Sequence, residues 1–130
     1  MKLEILYVCE NEYKPVTDIF CQSNTHVHDH IELSIILSGE AHYVINDKSY
    51  VMKAGEMVLF NPSVSHSVQI LPQVNYRDLH IGLNGTLADF EIDEKTFSDG
   101  FAIINYQDEK KKILEICKNL CYETTHCKLE

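Results

Sequence analysis

Four side chains that could bind a metal ion or a polar ligand stand at alternate positions early in the sequence. They are His26, His28, His30 and Glu32. In an extended strand, residues two apart point to the same side, so we expect these groups to share one face. Imidazole and carboxylate ligands together suit zinc, nickel, iron or manganese. The pattern predicts either a metal site or a pocket for a polar organic ligand.

A further histidine lies in the clearest alternating stretch of the sequence. From residue 64 to residue 70, every second residue is apolar or histidine, and the residues between them are polar. A period of two is typical of a strand with one buried face, so His66 should point into the interior. We predict that His66 completes a candidate metal set whose other members are His26, His28 and Glu32.

The remaining histidines and two tyrosines receive weaker assignments. His80 lies in a strand predicted at 76–83 and is expected to line the same pocket, whereas His30 should be a strand-end residue in partial contact with solvent. Tyr43 and Tyr76 are expected to pack, with their hydroxyl groups at the edge of the core. The pattern assigns no catalytic residue. The predicted pocket lining is therefore His26, His28, Glu32, His66 and His80.

Short strands separated by turns account for most of the chain. Residues 31–37 are apolar and rich in branched side chains, as a strand covered on both faces would be. Turn signals follow at Gly39, at 46–47, at Gly55 and at 61–63. Many short strands with frequent turns indicate a sandwich or a barrel. We predict a mainly β domain over residues 1–106, in which residues 84–100 form a loop.

The pattern changes near Gln107, where apolar residues repeat with helical spacing. We predict an amphipathic helix over residues 107–128. Its apolar stripe could pack on the barrel as a lid, or it could pair with the same helix of a second subunit. The stripe consists of Ile113, Ile116, Cys117 and Leu120.

Composition limits the possible partners. The 130 residues carry a formal net charge of −9, which argues against direct binding of nucleic acid by this piece. No signal peptide or membrane span is expected, and five cysteines in no regular framework favour reduced thiols in the cytoplasm. Leu129 and Glu130 are typical of a cloning scar, so the natural protein is expected to continue past them.

The histidine segment is also a known motif. The spacing His26-x-His28-x-x-x-Glu32, followed after six residues by Gly39, resembles the first motif of the cupins, although Phe20 stands where that motif begins with glycine. This resemblance implies a double-stranded β-helix, or jelly-roll barrel, that holds a divalent transition metal or an organic ligand.

The second cupin motif is only partly kept. Gly55 and His66 match it. The sequence departs from it at Asn61, Ser63 and Ile70. The resemblance to cupins in general therefore covers about residues 20–70 and is stronger in its first half.

Longer phrases of the sequence resemble one cupin branch, the sensor domains of AraC-family transcription regulators. The phrases are HDHIELSIILSGEAHYVINDKSYVMKAGE and GEMVLFNPSVSH. The resemblance implies an effector-sensing and dimerising domain that binds a small metabolite, commonly a sugar, in its barrel. It also implies a homodimer that reaches DNA only through a C-terminal module absent from this sequence.

A stand-alone enzyme is the alternative. All four candidate ligands of a cupin metal are present, which would suit a small dioxygenase or isomerase. The weakened second motif and the amphipathic tail favour the sensor. Neutral pocket lining without any metal is a third possibility, because a pocket for a polyol also needs donors and acceptors on apolar walls.

Overall fold

The computed structural model describes residues 4–14, 27–70, 75–85 and 99–123, and in the last range it describes side chains through residue 119. A short 3-10 helix, Gln107–Glu109, leads into helix α1, Lys110–Glu123. The strands are β1 Glu4–Tyr13, β2 Ile31–Ser38, β3 Glu40–Ile45, β4 Lys48–Lys53, β5 Glu56–Phe60, β6 His66–Ile70, β7 Tyr76–Asn84 and β8 Phe101–Asn105.

The strands form two antiparallel sheets. The larger sheet has the order β1-β7-β2-β5-β8, and the smaller has the order β4-β3-β6. Strands that are neighbours in a sheet are often distant in sequence, as in a jelly roll. The mainly β fold with a C-terminal helix agrees with the prediction.

The predicted turns have backbone conformations that match their residues. Asn46 and Asp47 both have positive φ, at 51° and 66°, as a two-residue hairpin of the type I′ class requires. Gly39 has a φ of 77°, and a Cβ atom there would lie 2.1 Å from the carbonyl oxygen of Asn75. Gly39 therefore permits both the turn and the close approach of the chain before β7.

Two apolar clusters bury both faces of the larger sheet. One cluster lies between the sheets and includes Ile36 of β2 together with Tyr43 and Phe60. The other lies on the outer face and includes Ile31 and Ile35 of β2 together with Cys117 of α1. Strand β2 is thus covered on both sides, as its unbroken apolar run predicted.

The apolar stripe of α1 faces partly toward the barrel and partly toward solvent. Cys117 is buried in the outer cluster, and Ile113 packs against that cluster. Ile116 faces away, with 45% of its surface exposed. The side chain of Leu120 lies outside the described set, as do residues 124–128 of the predicted helix. Ile113 and Cys117 thus pack against the barrel of this chain, and pairing of the helix with a second subunit stays a prediction.

Two expectations are corrected. Strand β8 was not predicted, because its sequence FAIIN follows a loop-like stretch and offers only five residues. The hydroxyl groups of Tyr43 and Tyr76 were expected at the edge of the core, yet both residues are fully buried. In the described ranges, no helix has the length and apolar character needed to cross a membrane.

Candidate functional site

Three of the predicted ligands meet between the two sheets. His28 Nε2 lies 3.1 Å from Glu32 Oε2, and His66 Nε2 lies 3.2 Å from Glu32 Oε1. One ligand atom from each of the three residues lies within 4.8 Å of the others. Glu32 and His66 are buried, whereas His28 is half-buried. The arrangement therefore has one side accessible from solvent, at His28.

Local structure fixes each member of this triad. Glu32 follows the first residue of β2, opposite Phe60 of β5. His66 begins β6, where its ring stacks on Phe60 with centroids 4.1 Å apart. Its Nδ1 atom lies 3.1 Å from the carbonyl oxygen of Val64, so Nδ1–H donates to that oxygen. His28 is held through its own carbonyl oxygen, which accepts a 2.8 Å hydrogen bond from the backbone N–H of Ser63.

The carboxyl group of Glu32 is ionised in these surroundings. Burial alone would raise its pKa, but hydrogen bonds from His66 and Tyr7 and the nearby His80 and His28 outweigh burial and lower the pKa to about 2. A buried carboxylate with two imidazoles beside it is a site for a cation or for a ligand rich in hydrogen-bond donors.

Tyr7 is a member of the site that the sequence did not reveal. Its hydroxyl group donates to Glu32 Oε2 at 2.5 Å and lies 2.8 Å from His30 Nε2. The ring of Tyr7 covers Gly82 on the neighbouring strand, where a Cβ atom would lie 2.2 Å from the ring. Gly82 therefore provides the space that lets Tyr7 reach Glu32.

His30 is connected to the triad through the Tyr7 hydroxyl group and through ring contact with His28. Its ring also lies edge-on to Tyr7 and 4.7 Å from the ring of His28, between centroids. Its side chain is 15% exposed, which fits the expectation of a strand-end residue in partial solvent. His26 lies outside the described residues.

A second polar cluster surrounds Asp78 on β7, in the same interior. Its carboxylate accepts hydrogen bonds from the Tyr76 hydroxyl at 2.5 Å and from Asn11 Nδ2 at 2.9 Å, and His80 Nε2 lies 3.1 Å away. The Tyr43 hydroxyl lies at the longer distance of 3.4 Å. Asp78 is 1% exposed, so these donors replace the water that burial removed.

Buried Asp78 and half-buried His80 form an ion pair. Burial opposes both charges, but the charge of His80 and the surrounding donors lower the pKa of Asp78. Burial would likewise lower the pKa of His80, yet Asp78, with a smaller contribution from Glu32, raises it to about 9. His80 is therefore a cation whose charge is shared between the two carboxylates, and it links the Asp78 cluster to the triad.

The sequence contained a partial signal for the Asp78 cluster. Tyr76, Asp78 and His80 stand at alternate positions of β7, with apolar Leu79 and Ile81 between them. Such a strand normally turns its polar residues to water. Here Leu79 and Ile81 pack in the outer cluster, so the polar residues lie between the sheets.

Comparison with known proteins supports the family. A family described as AraC-like ligand binding domain matches residues 18–126. ToxT from Vibrio cholerae, solved with a bound unsaturated fatty acid, has a TM-score of 0.61 and 17% identity, and the match covers 89% of this chain and 47% of ToxT. The chain thus spans less than half of ToxT. Comparison with curated proteins found no similar sequence.

Two other solved structures share the fold. A cupin protein from Bacteroides fragilis has a TM-score of 0.53 and 18% identity, covering 62% of this chain and 66% of that protein. A predicted oxalate decarboxylase from Thermotoga maritima has a TM-score of 0.55 and 21% identity, covering 62% and 68%. These likenesses confirm the cupin jelly roll. Together with the family match over most of its length, they show that the chain belongs to the AraC-like ligand-binding domains.

Proposed function

We propose that this domain is the effector-sensing and dimerising half of an AraC-type transcription regulator. It binds a small metabolite, a sugar being one class, between its sheets and controls a DNA-binding module outside this sequence. One observation carries the proposal. Strands β2 and β7 place polar side chains on their inner face, and their outer-face residues share one apolar cluster with Cys117 of helix α1.

Along these strands, successive residues point to opposite faces of the sheet. On β2, Ser34 faces inward and Ile35 packs in the outer cluster; on β7, His80 faces inward and Leu79 packs in that cluster. Cys117 of α1 belongs to the same cluster. A ligand that draws these strands together would change how α1 packs against the outer cluster, because a close-packed interface transmits small shifts. That is coupling between two sites.

A divalent transition metal fits the triad of His28, Glu32 and His66. His66 Nδ1–H donates to the carbonyl oxygen of Val64, which directs Nε2 toward Glu32, 3.2 Å from Oε1. A metal ion could be held by this nitrogen together with His28 and Glu32, which are ligands of suitable type. When bound, the metal would act as a Lewis acid or anchor an oxygen atom of the effector. His26 remains a candidate ligand from the spacing alone.

Homodimerisation is the second part of the proposal. Among the described members of the α1 stripe, Ile116 is the one with a large exposed area. We expect it to contribute to contact with the second subunit, while Ile113 and Cys117 hold the helix to its own barrel. A twofold arrangement would bring two DNA-binding modules to neighbouring half-sites.

A fusion experiment tests this function even while the target genes are unidentified. The domain is joined to a heterologous repressor headpiece that binds its operator only as a dimer, upstream of a reporter. Wild-type fusion should repress, and Ile116→Asp should relieve repression while the folded protein persists. Full reporter expression with the wild-type fusion, at normal protein levels, would contradict the proposal.

A cupin metalloenzyme, such as a dioxygenase or isomerase, is the second candidate. The observation that favours it is the convergence of His28, Glu32 and His66 within metal-ligand reach, together with the fold shared with the Thermotoga maritima protein. Purified domain loaded with zinc, nickel, iron or manganese can be tested for oxygen uptake and oxalate consumption. Turnover that disappears in Glu32→Gln would favour the enzyme, whereas repression by the fusion would favour the sensor.

A further inference from the structure

The segment that joins β8 to helix α1 is bound to the barrel through two consecutive residues, of which Tyr106 is the first. Tyr106 is 3% exposed and belongs to the outer cluster. Its hydroxyl group donates to the carbonyl oxygen of Ile36 on β2, and its backbone N–H donates to the carbonyl oxygen of Gly55 at 2.7 Å. Its own carbonyl oxygen accepts a 2.9 Å hydrogen bond from the backbone N–H of Glu109, in the 3-10 helix before α1. Tyr106 therefore connects β2, the turn between β4 and β5, and the entry to α1.

Gln107 makes a second connection to the same turn. Its Nε2 atom donates to the carbonyl oxygen of Ala54 at 3.1 Å. Its side chain lies over Gly55, where a Cβ atom would be 1.9 Å from Nε2. Gly55 also has a φ of 94°, a left-handed conformation that favours glycine. The glycine thus permits both the turn and the close approach of Gln107.

The turn and β2 are joined at an irregularity of the larger sheet. The backbone N–H of Gly55 donates to the carbonyl oxygen of Ile36 at 3.4 Å. The register of β2 with β7 shifts directly after the pair of Ile36 and Asp78. Such irregularities bend a strand and are frequent next to functional sites. The carbonyl group that accepts the Tyr106 hydroxyl thus belongs to the β2 residue that pairs with Asp78.

The triad and the entry to α1 are connected through this one strand. Glu32 stands four residues before Ile36 on β2, and both are buried on its inner face. An ion or ligand that shifts β2, or its register with β7, moves the carbonyl oxygen of Ile36. Because a hydrogen bond weakens steeply once its geometry is disturbed, such a shift releases the Tyr106 hydroxyl group. The contacts of Tyr106 and Gln107 are therefore placed to respond to a change in the interior.

We propose that Tyr106 and Gln107 form a latch that fixes the entry to α1 on the barrel, and that binding in the interior acts on α1 by opening this latch. The inference rests on the proposed sensing function and names the route of its regulation. With the latch closed, hydrogen bonds hold the start of α1, and Ile113 and Cys117 pack against the outer cluster. With the latch open, the apolar contacts alone remain, so the first turns of the helix open more often.

Amide hydrogen exchange in the metal-free domain tests the latch without any ligand. Tyr106→Phe removes the hydroxyl group and keeps the ring. Gln107→Glu replaces the amide donor by a carboxylate of similar shape at an exposed position, so this variant should fold even if the first does not. Each substitution should speed exchange of the amides of residues 109–116 about tenfold. The slowest amides of β2 and β5 should stay within about twofold of their wild-type rates.

Tyr50→Phe is the matched control for loss of a hydroxyl group. The Tyr50 ring lies edge-on against Phe101 with centroids 5.4 Å apart, and this variant should leave exchange in α1 unchanged. Wild-type exchange of residues 109–116 in both latch variants would overturn the inference. An increase that is equal in the helix and in the strands would also overturn it, since the two residues would then stabilise the barrel as a whole.

Zinc supplied alone tests the regulation. In the wild type, zinc at the triad should raise exchange of residues 109–116 toward the level of the metal-free latch variants. Gln107→Glu should bind zinc with wild-type affinity, and zinc should change exchange in its helix by less than about twofold. A wild-type helix that does not respond to added zinc, or a Gln107→Glu helix that responds as the wild type does, would contradict the proposed route.

The latch and the regulator can fail separately. A wild-type fusion that represses, together with α1 exchange that neither substitution alters, would leave the sensor and remove the latch. A wild-type fusion that does not repress, together with faster α1 exchange in both variants and in the zinc-loaded wild type, would leave the latch and remove the regulator.

Discussion

The ion pair of half-buried His80 with buried Asp78 makes stability depend on pH in a defined window. Asp78 and the nearby Glu32 raise the pKa of His80 from 6.5 to about 9. The folded protein therefore holds this proton more tightly than the unfolded chain does. The stabilisation is present in full below pH 6.5 and is lost as pH rises through about 9.

The size of the effect follows from the shift in the pKa of His80. The difference between about 9 and 6.5 corresponds to about 3 kcal/mol in the free energy of unfolding. Because single domains are stable by only about 5–15 kcal/mol, this loss would remove a large part of the stability of the fold.

Urea unfolding followed by circular dichroism at pH 6.5, 7.5, 8.5 and 9.5, with chelator present, measures this loss. His80→Gln should remove most of the decline between pH 6.5 and 9.5. His42→Gln is the matched control, since His42 is a half-buried strand histidine on β3, and it should keep the wild-type decline. A wild-type loss below about 1 kcal/mol, or the same decline in His80→Gln, would refute the assigned role of this pair.

Four further substitutions test the geometry, the last two as a matched pair. Tyr7→Phe removes the 2.5 Å bond to Glu32 and should weaken zinc binding by about 10–100-fold with the fold intact; unchanged affinity by calorimetry would remove Tyr7 from the site. Gly82→Ala forces a Cβ atom against the Tyr7 ring and should cost about 1–3 kcal/mol in urea unfolding as well as zinc affinity; wild-type values would show that the ring can move freely. Cys117→Asp places a charge in the outer cluster and should lower the free energy of unfolding by several kcal/mol. Ile116→Asp should change the free energy of unfolding of the monomer by no more than about 0.5 kcal/mol. Equal effects of the two substitutions in thermal unfolding would contradict the described packing of α1.

Much of the fold could be predicted from local pattern. Alternation placed His66 inward, and the turn residues at 39 and 46–47 separated the strands correctly. The spacing of Glu32 four residues after His28, together with the inward position of His66, predicted the three ligand-type groups that meet in one place. These features depend on periodicity and backbone preference, which act over a few residues.

The rest depends on contacts between distant segments. Asp78 could be recognised as buried only once the apolar cluster on the other face of β7 was known, because a strand with one apolar face usually exposes its polar residues. Tyr7 reaches Glu32 only because Gly82 stands opposite it on β7. Strand β8 is short and pairs with β5, a strand far earlier in the chain, in the register of Met57 with Ile104. Local pattern carries no information about such pairings.

Amide hydrogen exchange in α1 tests most directly whether binding in the interior affects the helix. Exchange of the amides of Lys110–Glu123 is measured in metal-free and zinc-loaded domain, with Glu32→Gln as the variant that should not respond to zinc. We predict that zinc binds the wild type at one equivalent and changes exchange in α1 and in the outer-face residues of β2 and β7. Stoichiometric zinc at the triad with identical exchange throughout α1 would contradict the coupling between the interior and the helix.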